Sequence, residues 1–253
     1  MPIKTVIEAV REAIVEEMRR DSRVFIMGED IGRSGGVFLV TQGLLEEFGE
    51  ERVIDTPLAE ASIAGISLGA AFHGMRPIAE VQFSDFVWLT FNQLIGEAAR
   101  ARYGSNGVLS SPLVVRVPYG GGIRGGLFHS QNVEVPFFHT PGLVVVAPAT
   151  PFDAKGLLKS AIRNDNPVVF LEHKKTYRLV RGEVPHDEYL IPLGSAEVKR
   201  VGRDVTVVSY GLVLHYCLEA AEELTEEGIE VEVVDLRTLK PLDKETVLES
   251  VKK

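Results

Sequence analysis

The chain has a single cysteine, Cys217, among 253 residues, so no internal disulfide and no cysteine-based zinc site can form. It also has no run of about 18 uninterrupted apolar residues, which excludes a membrane-spanning helix. Basic clusters are missing as well. The 36 acids outnumber the 27 Lys and Arg residues, and the net charge of -9 speaks against a nucleic-acid partner. The N-terminus, "MPIKTVIEAVREAIVEEMRR", carries acids where a secretory signal has an apolar core, so a cytoplasmic setting is expected, or a mitochondrial matrix in a eukaryote. G-x-x-x-x-G-K-[ST], H-E-x-x-H and G-x-S-x-G are all absent, which removes P-loop, zinc-peptidase and serine-hydrolase readings. What remains, 45% hydrophobic and 25% charged, is the composition of an ordinary globular protein.

The order of elements gives a fold class. Thr5 and Glu8 form a T-x-x-E capping box, with Val6, Val10, Ile14 and Met18 on one helical face behind it. "RVFIMGED" reads as a buried strand ending in a loop with Glu29 and Asp30. "VTQGLLEEFGE" reads as a helix and "RVIDTP" as a strand stopped by Pro57. "AEASIAGISLGAAFHG" is a helix of small residues, which other backbone can approach closely, and is expected to be central and buried. "RPIAEVQF", "PLVVRVP", "GLVVVAPAT" and "NPVVFLE" read as further strands, and "VWLTFNQLIGEAARARY" as one helix. Thr150, Pro151 and Asp153 mark another helix start. Strands alternating with helices predict an α/β fold, with a mainly parallel sheet covered by helices on both faces.

Residues 181–203, rich in Pro, Gly and charge, are expected to be a linker between a domain over 1–180 and a second, smaller α/β domain over 204–253. The latter stops where a third strand is expected, as if incomplete.

Three places attract chemistry. "GGGIRGGLFHSQ", residues 120 to 131, could cradle a phosphate, turn a corner, or present His129. It lacks the Lys-Ser/Thr tail of a P-loop and a capped helix behind it, so the cradle is disfavoured. Glu60 follows "DTPLA" and opens the small-residue helix, at the kind of strand-to-helix turn where open α/β sheets bind ligands. A helix N-terminus favours its anion and burial favours the neutral acid, which suits a carboxyl that holds or passes a proton; a simple helix cap is the alternative. His129, among glycines and polar residues, reads as accessible. Gln82 and Phe86 in "EVQFSDF" can line an apolar slot or simply end a strand, and "RNDNP" can bind a hard cation or simply turn.

Taken together, "MGEDIG", "GGVFLVTQGL", "RVIDTPLAE", "RPIAEVQFSDF", "HSQ", "PGLVVVAPATPFDAKGLL" and "VVDLRTLKPLD" resemble the beta subunit of thiamine-diphosphate-dependent 2-oxo acid dehydrogenases, from about Lys4 to the last residue. The resemblance implies a transketolase-like pyrimidine-binding domain followed by a C-terminal transketolase-like domain. It also implies that Glu60 hydrogen-bonds N1' of the cofactor's aminopyrimidine and so promotes loss of the thiazolium C2 proton. Leu58, Gln82 and Phe86 would surround that ring, and His129 would bind the 2-oxo acid or assist acyl transfer. Leu113, Ala161, Ile162, Asn164 and Asn166 match a potassium site, although the family commonly has Asp at Asn164, and here the acid has moved to Asp165. Asn92 replaces another common Asp.

The family's diphosphate-and-magnesium motif does not occur in this chain and belongs to an alpha subunit. The resemblance therefore implies an alpha2-beta2 heterotetramer with Mg2+ held by the alpha chain. Its reaction would be oxidative decarboxylation of pyruvate or a branched-chain 2-oxo acid, with the acyl group passed to a lipoyl-carrying acyltransferase. An acetoin dehydrogenase beta subunit and a non-catalytic α/β assembly subunit are the rival readings.

Overall fold

A computed structural model describes all 253 residues. Strand β1 (Ile3–Thr5) runs into helix α1 (Val6–Arg20), which begins at the expected capping box: Thr5 accepts from the Glu8 amide, and the Glu8 carboxylate accepts from Thr5. Then follow β2 (Val24–Gly28), α2 (Leu44–Phe48), β3 (Val53–Asp55), α3 (Glu60–Phe72) and β4 (Arg76–Glu80). The next helical stretch is a three-ten segment (Ser84–Thr90), a π-helical segment (Asn92–Ala98) and α4 (Ala99–Gly104). Beyond it lie β5 (Val114–Tyr119), α5 (Glu134–His139), β6 (Val144–Val146), α6 (Pro151–Arg163), β7 (Val168–His173) and α7 (Thr176–Leu179). The C-terminal part holds β8 (Arg181–Glu183), β9 (Glu197–Arg200), β10 (Val205–Ser209), α8 (Gly211–Glu226), β11 (Val231–Asp235), β12 (Thr238–Lys240) and α9 (Lys244–Val251).

The main sheet has seven strands in the order β12-β6-β7-β5-β4-β2-β3, all parallel except β12 at one edge. Strands β2, β5 and β7 are buried along their whole length; β2 is apolar throughout, while β5 and β7 also carry Arg116, Glu172 and His173 into the interior. One face packs under α1 and α6, through Val10, Ile14, Leu157 and Leu158. The other packs under α3 and the stretch from 84 to 104, through Ile63, Leu68, Val87 and Leu94.

Three adjacent strands are tied by a buried ion network. Arg116 on β5 donates from Nε and Nη2 to both oxygens of Glu172 on β7, each at 2.7 Å, and from Nη1 to Glu80 on β4. Tyr177 donates to Glu172 at 2.6 Å. Burial raises the Glu80 carboxyl's pKa, while the Arg116 charge draws it back down.

Four expectations need correction. Only Leu44–Phe48 of "VTQGLLEEFGE" is helical, because Gly35, Gly36, Leu39 and Gly43 all take positive φ and wind the preceding segment into turns. The stretch through residues 84–104 is not one regular helix but changes its hydrogen-bond period twice. Helix α3 buries only one face: Ala61 and Ser62 are exposed and Ile66 is 59% exposed. The stretch 181–203 holds two strands. β8 pairs antiparallel with β1, and β9 pairs antiparallel with β11, supplying the third strand of the small sheet β10-β11-β9.

The C-terminal unit is also stitched into the first. β12 leaves it to pair with β6. Arg237 donates to Asp153 at the start of α6 (3.3 Å), to Glu197 (3.2 Å) and to the carbonyls of Ser195 and Ala196. No helix is long and apolar enough to cross a membrane.

Candidate functional site

β2, β3, β4 and β5 are parallel and end at one edge of the sheet, so the loops leaving them gather there. The loop after β3 delivers Glu60 as the first residue of α3. No side chain caps this helix, and Glu60 is only 4% exposed. Its Oε2 has no hydrogen-bond partner in the chain. A buried carboxyl oxygen without a partner is costly, so this group is suited to a ligand that brings one.

Glu29 leaves β2 beside it. Burial, the neighbouring Asp30 and the Glu60 charge all raise the Glu29 pKa. Gln82, just past β4, reaches the Glu29 carbonyl at 3.4 Å. Phe83 and Phe86 follow with their rings edge to face, centroids 6.3 Å apart. Leu58 stands 68% exposed on the loop before α3.

The loop after β5 delivers His129, half-buried. Its Nδ1 lies 3.1 Å from the Gly125 carbonyl, so the tautomer with the proton on Nδ1 leaves Nε2 free. Its ring meets Phe83 at a centroid distance of 4.4 Å and Phe86 at 5.8 Å. Asp85 accepts the amides of Ser130 (3.4 Å) and Gln131 (3.3 Å), and Ser84 donates to the Gln131 carbonyl at 2.8 Å, so the turn after β4 grips the loop next to His129. Gly120 turns the chain at φ +81°. A Cβ there would lie 2.2 Å from Nε2 of His173, so only glycine fits. The Gly120 amide is bonded to the Gln131 carbonyl, and the loop ends in a three-residue turn, Leu127–His129. Neither feature makes a phosphate cradle.

The structure thus brings Glu60, Gln82, Phe86 and His129 to one edge of the sheet. Phe83 and Asp85 belong with them but were not picked out from sequence, and Glu29 was noted there only as a residue of the loop after a strand. "MGED" and "QFSDF", each at a strand's end, were the only signals for them.

The five residues matched to a potassium site also cluster, and each has an oxygen that already accepts a hydrogen bond. Leu113 O accepts from the Val168 amide and Ala161 O from the Asn164 amide. Arg76 Nη1 donates to Ile162 O (2.9 Å) and Asn164 O (3.1 Å), so a guanidinium cation stands against the carbonyls an ion would use. Asn166 Oδ1 accepts from Arg102 at 3.0 Å. With the Arg76 cation in that place, these residues do not present an open site for an added ion. No group of three or more His, Cys, Asp and Glu side chains is placed to hold a metal.

Residues 4–180 match the family model of the transketolase pyrimidine binding domain, and residues 194–253 match that of the transketolase C-terminal domain. The chain is 58% identical over 253 residues to the 2-oxoisovalerate dehydrogenase subunit beta of Bacillus subtilis, covering all of this chain and 77% of that protein. It is 50% identical over 249 residues to the pyruvate dehydrogenase E1 component subunit beta of the same organism, with 98% and 77% covered. Among solved structures, an inactive beta4 tetramer of a split-gene transketolase superposes with a TM-score of 0.80 at 24% identity, over 98% of this chain and 76% of that one, which shows the shared fold.

Proposed function

The chain belongs to the family of 2-oxo acid dehydrogenase beta subunits built on transketolase-type domains, and on that premise we propose that it supplies one half of an active site completed by an alpha subunit. The observation that carries this reading is the unpartnered, buried Oε2 of Glu60 at the start of α3. Thiamine diphosphate, when bound, supplies the acidic carbon and the electron sink that decarboxylation of a 2-oxo acid requires. Glu60 would hold the nitrogen of its pyrimidine ring, with Gln82, Phe86 and the exposed Leu58 around that ring. His129, its Nδ1 bonded to Gly125, would turn Nε2 to the 2-oxo acid, either to hold its carboxylate or to move a proton. Phe83 and Phe86 would keep water from the imidazole.

The incompleteness of the site supports an alpha partner. Of the six buried side-chain polar atoms without a hydrogen bond, those of Glu60, Ser67 and Gln93 lie on or against α3, whose other face is exposed, and that of Thr56 lies on the loop leading into it. Diphosphate and Mg2+ would be held by the alpha chain in an alpha2-beta2 assembly, with a lipoyl-carrying acyltransferase as acceptor. A potassium ion would have to displace Arg76 from Ile162 and Asn164. The 58% identical relative acts, by its name, on 2-oxoisovalerate, so a branched-chain 2-oxo acid is the substrate proposed; the 50% identical relative keeps pyruvate as the second reading.

The test is to assay the chain alone and with an alpha subunit, thiamine diphosphate and Mg2+, on 3-methyl-2-oxobutanoate, pyruvate and acetoin. Activity is expected only with the partner, and with the highest kcat/KM on 3-methyl-2-oxobutanoate. Decarboxylation by the chain alone would overturn the shared site, and a preference for pyruvate or acetoin would overturn the substrate.

A further inference from the structure

We propose that the cavity between α7 and the loops carrying Val37 and Ile123 is a binding site for a small aliphatic carboxylate, held by the ammonium of Lys174. The cavity measures about 370 Å3, and its polar side chains include three cations, Lys174, Lys175 and Arg178, but no carboxylate. Val37, Phe38 and Leu179 give it apolar walls.

Lys174 is the exception among the buried cations. Arg116 is bound by Glu80 and Glu172, Lys155 and Lys159 by Glu16, and Arg237 by Asp153 and Glu197. Lys174, 3% exposed, forms no salt bridge. Its Nζ has only the Pro118 carbonyl at 3.4 Å and the face of Phe83, 5.7 Å from the ring centroid. The carboxylate of Asp85, whose charge acts on Lys174, is bonded to the amides of Ser130 and Gln131. Burial lowers the Lys174 pKa to about 8, so the ammonium form gains from an incoming anion. Lys175 reaches Tyr216 at 2.7 Å and Arg178 is exposed; neither forms a salt bridge.

Cations set among apolar walls select a monoanion with a short hydrocarbon tail over a strongly hydrated dianion. This inference does not rest on the proposed function, because neither cofactor nor alpha subunit enters it.

The experiment titrates the full chain at pH 7 with 3-methylbutanoate, which lacks a 2-oxo group, and follows heat or amide shifts at Gly122 and Leu179. Saturable binding is expected, at least about tenfold weaker with Lys174→Met. The neutral 3-methylbutanamide and inorganic phosphate should each bind at least about tenfold more weakly than the acid. Leu179→Glu, at an exposed position, sets a carboxylate beside the cations and should block binding without relying on a change in the core. The proposal falls if wild type does not bind, if the amide or phosphate binds as tightly as the acid, or if either variant binds like wild type.

Discussion

The imidazole of His129 stands edge-on to the ring of Phe83, with centroids 4.4 Å apart and planes at 85°. Together with the bond from Nδ1 to Gly125, this contact fixes the direction of Nε2. Phe83→Leu keeps most of the apolar volume but loses the flat ring. Urea unfolding should show a loss of about 1–2 kcal/mol. In the reconstituted complex kcat should fall more than KM rises. Equal effects on both would assign Phe83 to packing alone.

Glu60 has a buried oxygen with no partner, so replacing its carboxyl with an amide removes no bond that Oε2 makes to the fold. Glu60→Gln should therefore leave unfolding within about 1 kcal/mol of wild type. Exchange of the cofactor's C2 proton in the complex should fall by about 100-fold or more. An unchanged exchange rate would remove Glu60 from the chemistry.

Gly120 and Gly74 both have positive φ, at +81° and +89°, but a Cβ on Gly74 meets nothing within 4 Å, whereas one on Gly120 runs into the His173 ring. Gly74→Ala should cost about 1 kcal/mol, the backbone term alone. Gly120→Ala should cost at least about 3 kcal/mol. Chemical denaturation of the pair separates strain from collision, and equal losses would mean that the His173 ring moves aside at no cost.

Asp235 is fully buried, and its Oδ1 accepts the Arg237 amide at 3.1 Å while Oδ2 has no partner. Burial, then the charge of Asp153, raises its pKa from 3.8 to about 7, against the opposing pull of Lys199 and Arg237. The folded form thus keeps a proton that the unfolded chain releases. The stability this proton contributes is complete below pH 3.8 and is lost as the pH rises through about 7. Asp235→Asn cannot titrate, so it should gain about 2–4 kcal/mol on wild type between pH 4 and pH 8, read as the difference between two urea series. A difference that does not change with pH would refute the shifted titration.

Much of the framework was legible in the residues. The capping box of Thr5 and Glu8 and the Thr150 cap with Pro151 behind it form as local rules require, because their partners lie three residues away. The parallel strands β2 and β6 announced themselves as apolar runs. Glu60 was legible as the opening residue of a helix after a strand, and His129 as a histidine in a glycine loop, although its ring proves half-buried against Phe83 and Phe86.

Strands β8, β9 and β12 were not legible, since three or four residues carry no period and their pairing is decided by distant chain. What the sequence determined by itself was the order of strands and helices, and therefore which loops share an edge of the sheet. Only the tertiary structure decided that Phe83 braces His129, that Arg76 stands at the expected cation site, and that Lys174 is buried without an acid. Those relations join loops and strands tens of residues apart, and a charge's partner is set by distance in space, which no local spacing encodes.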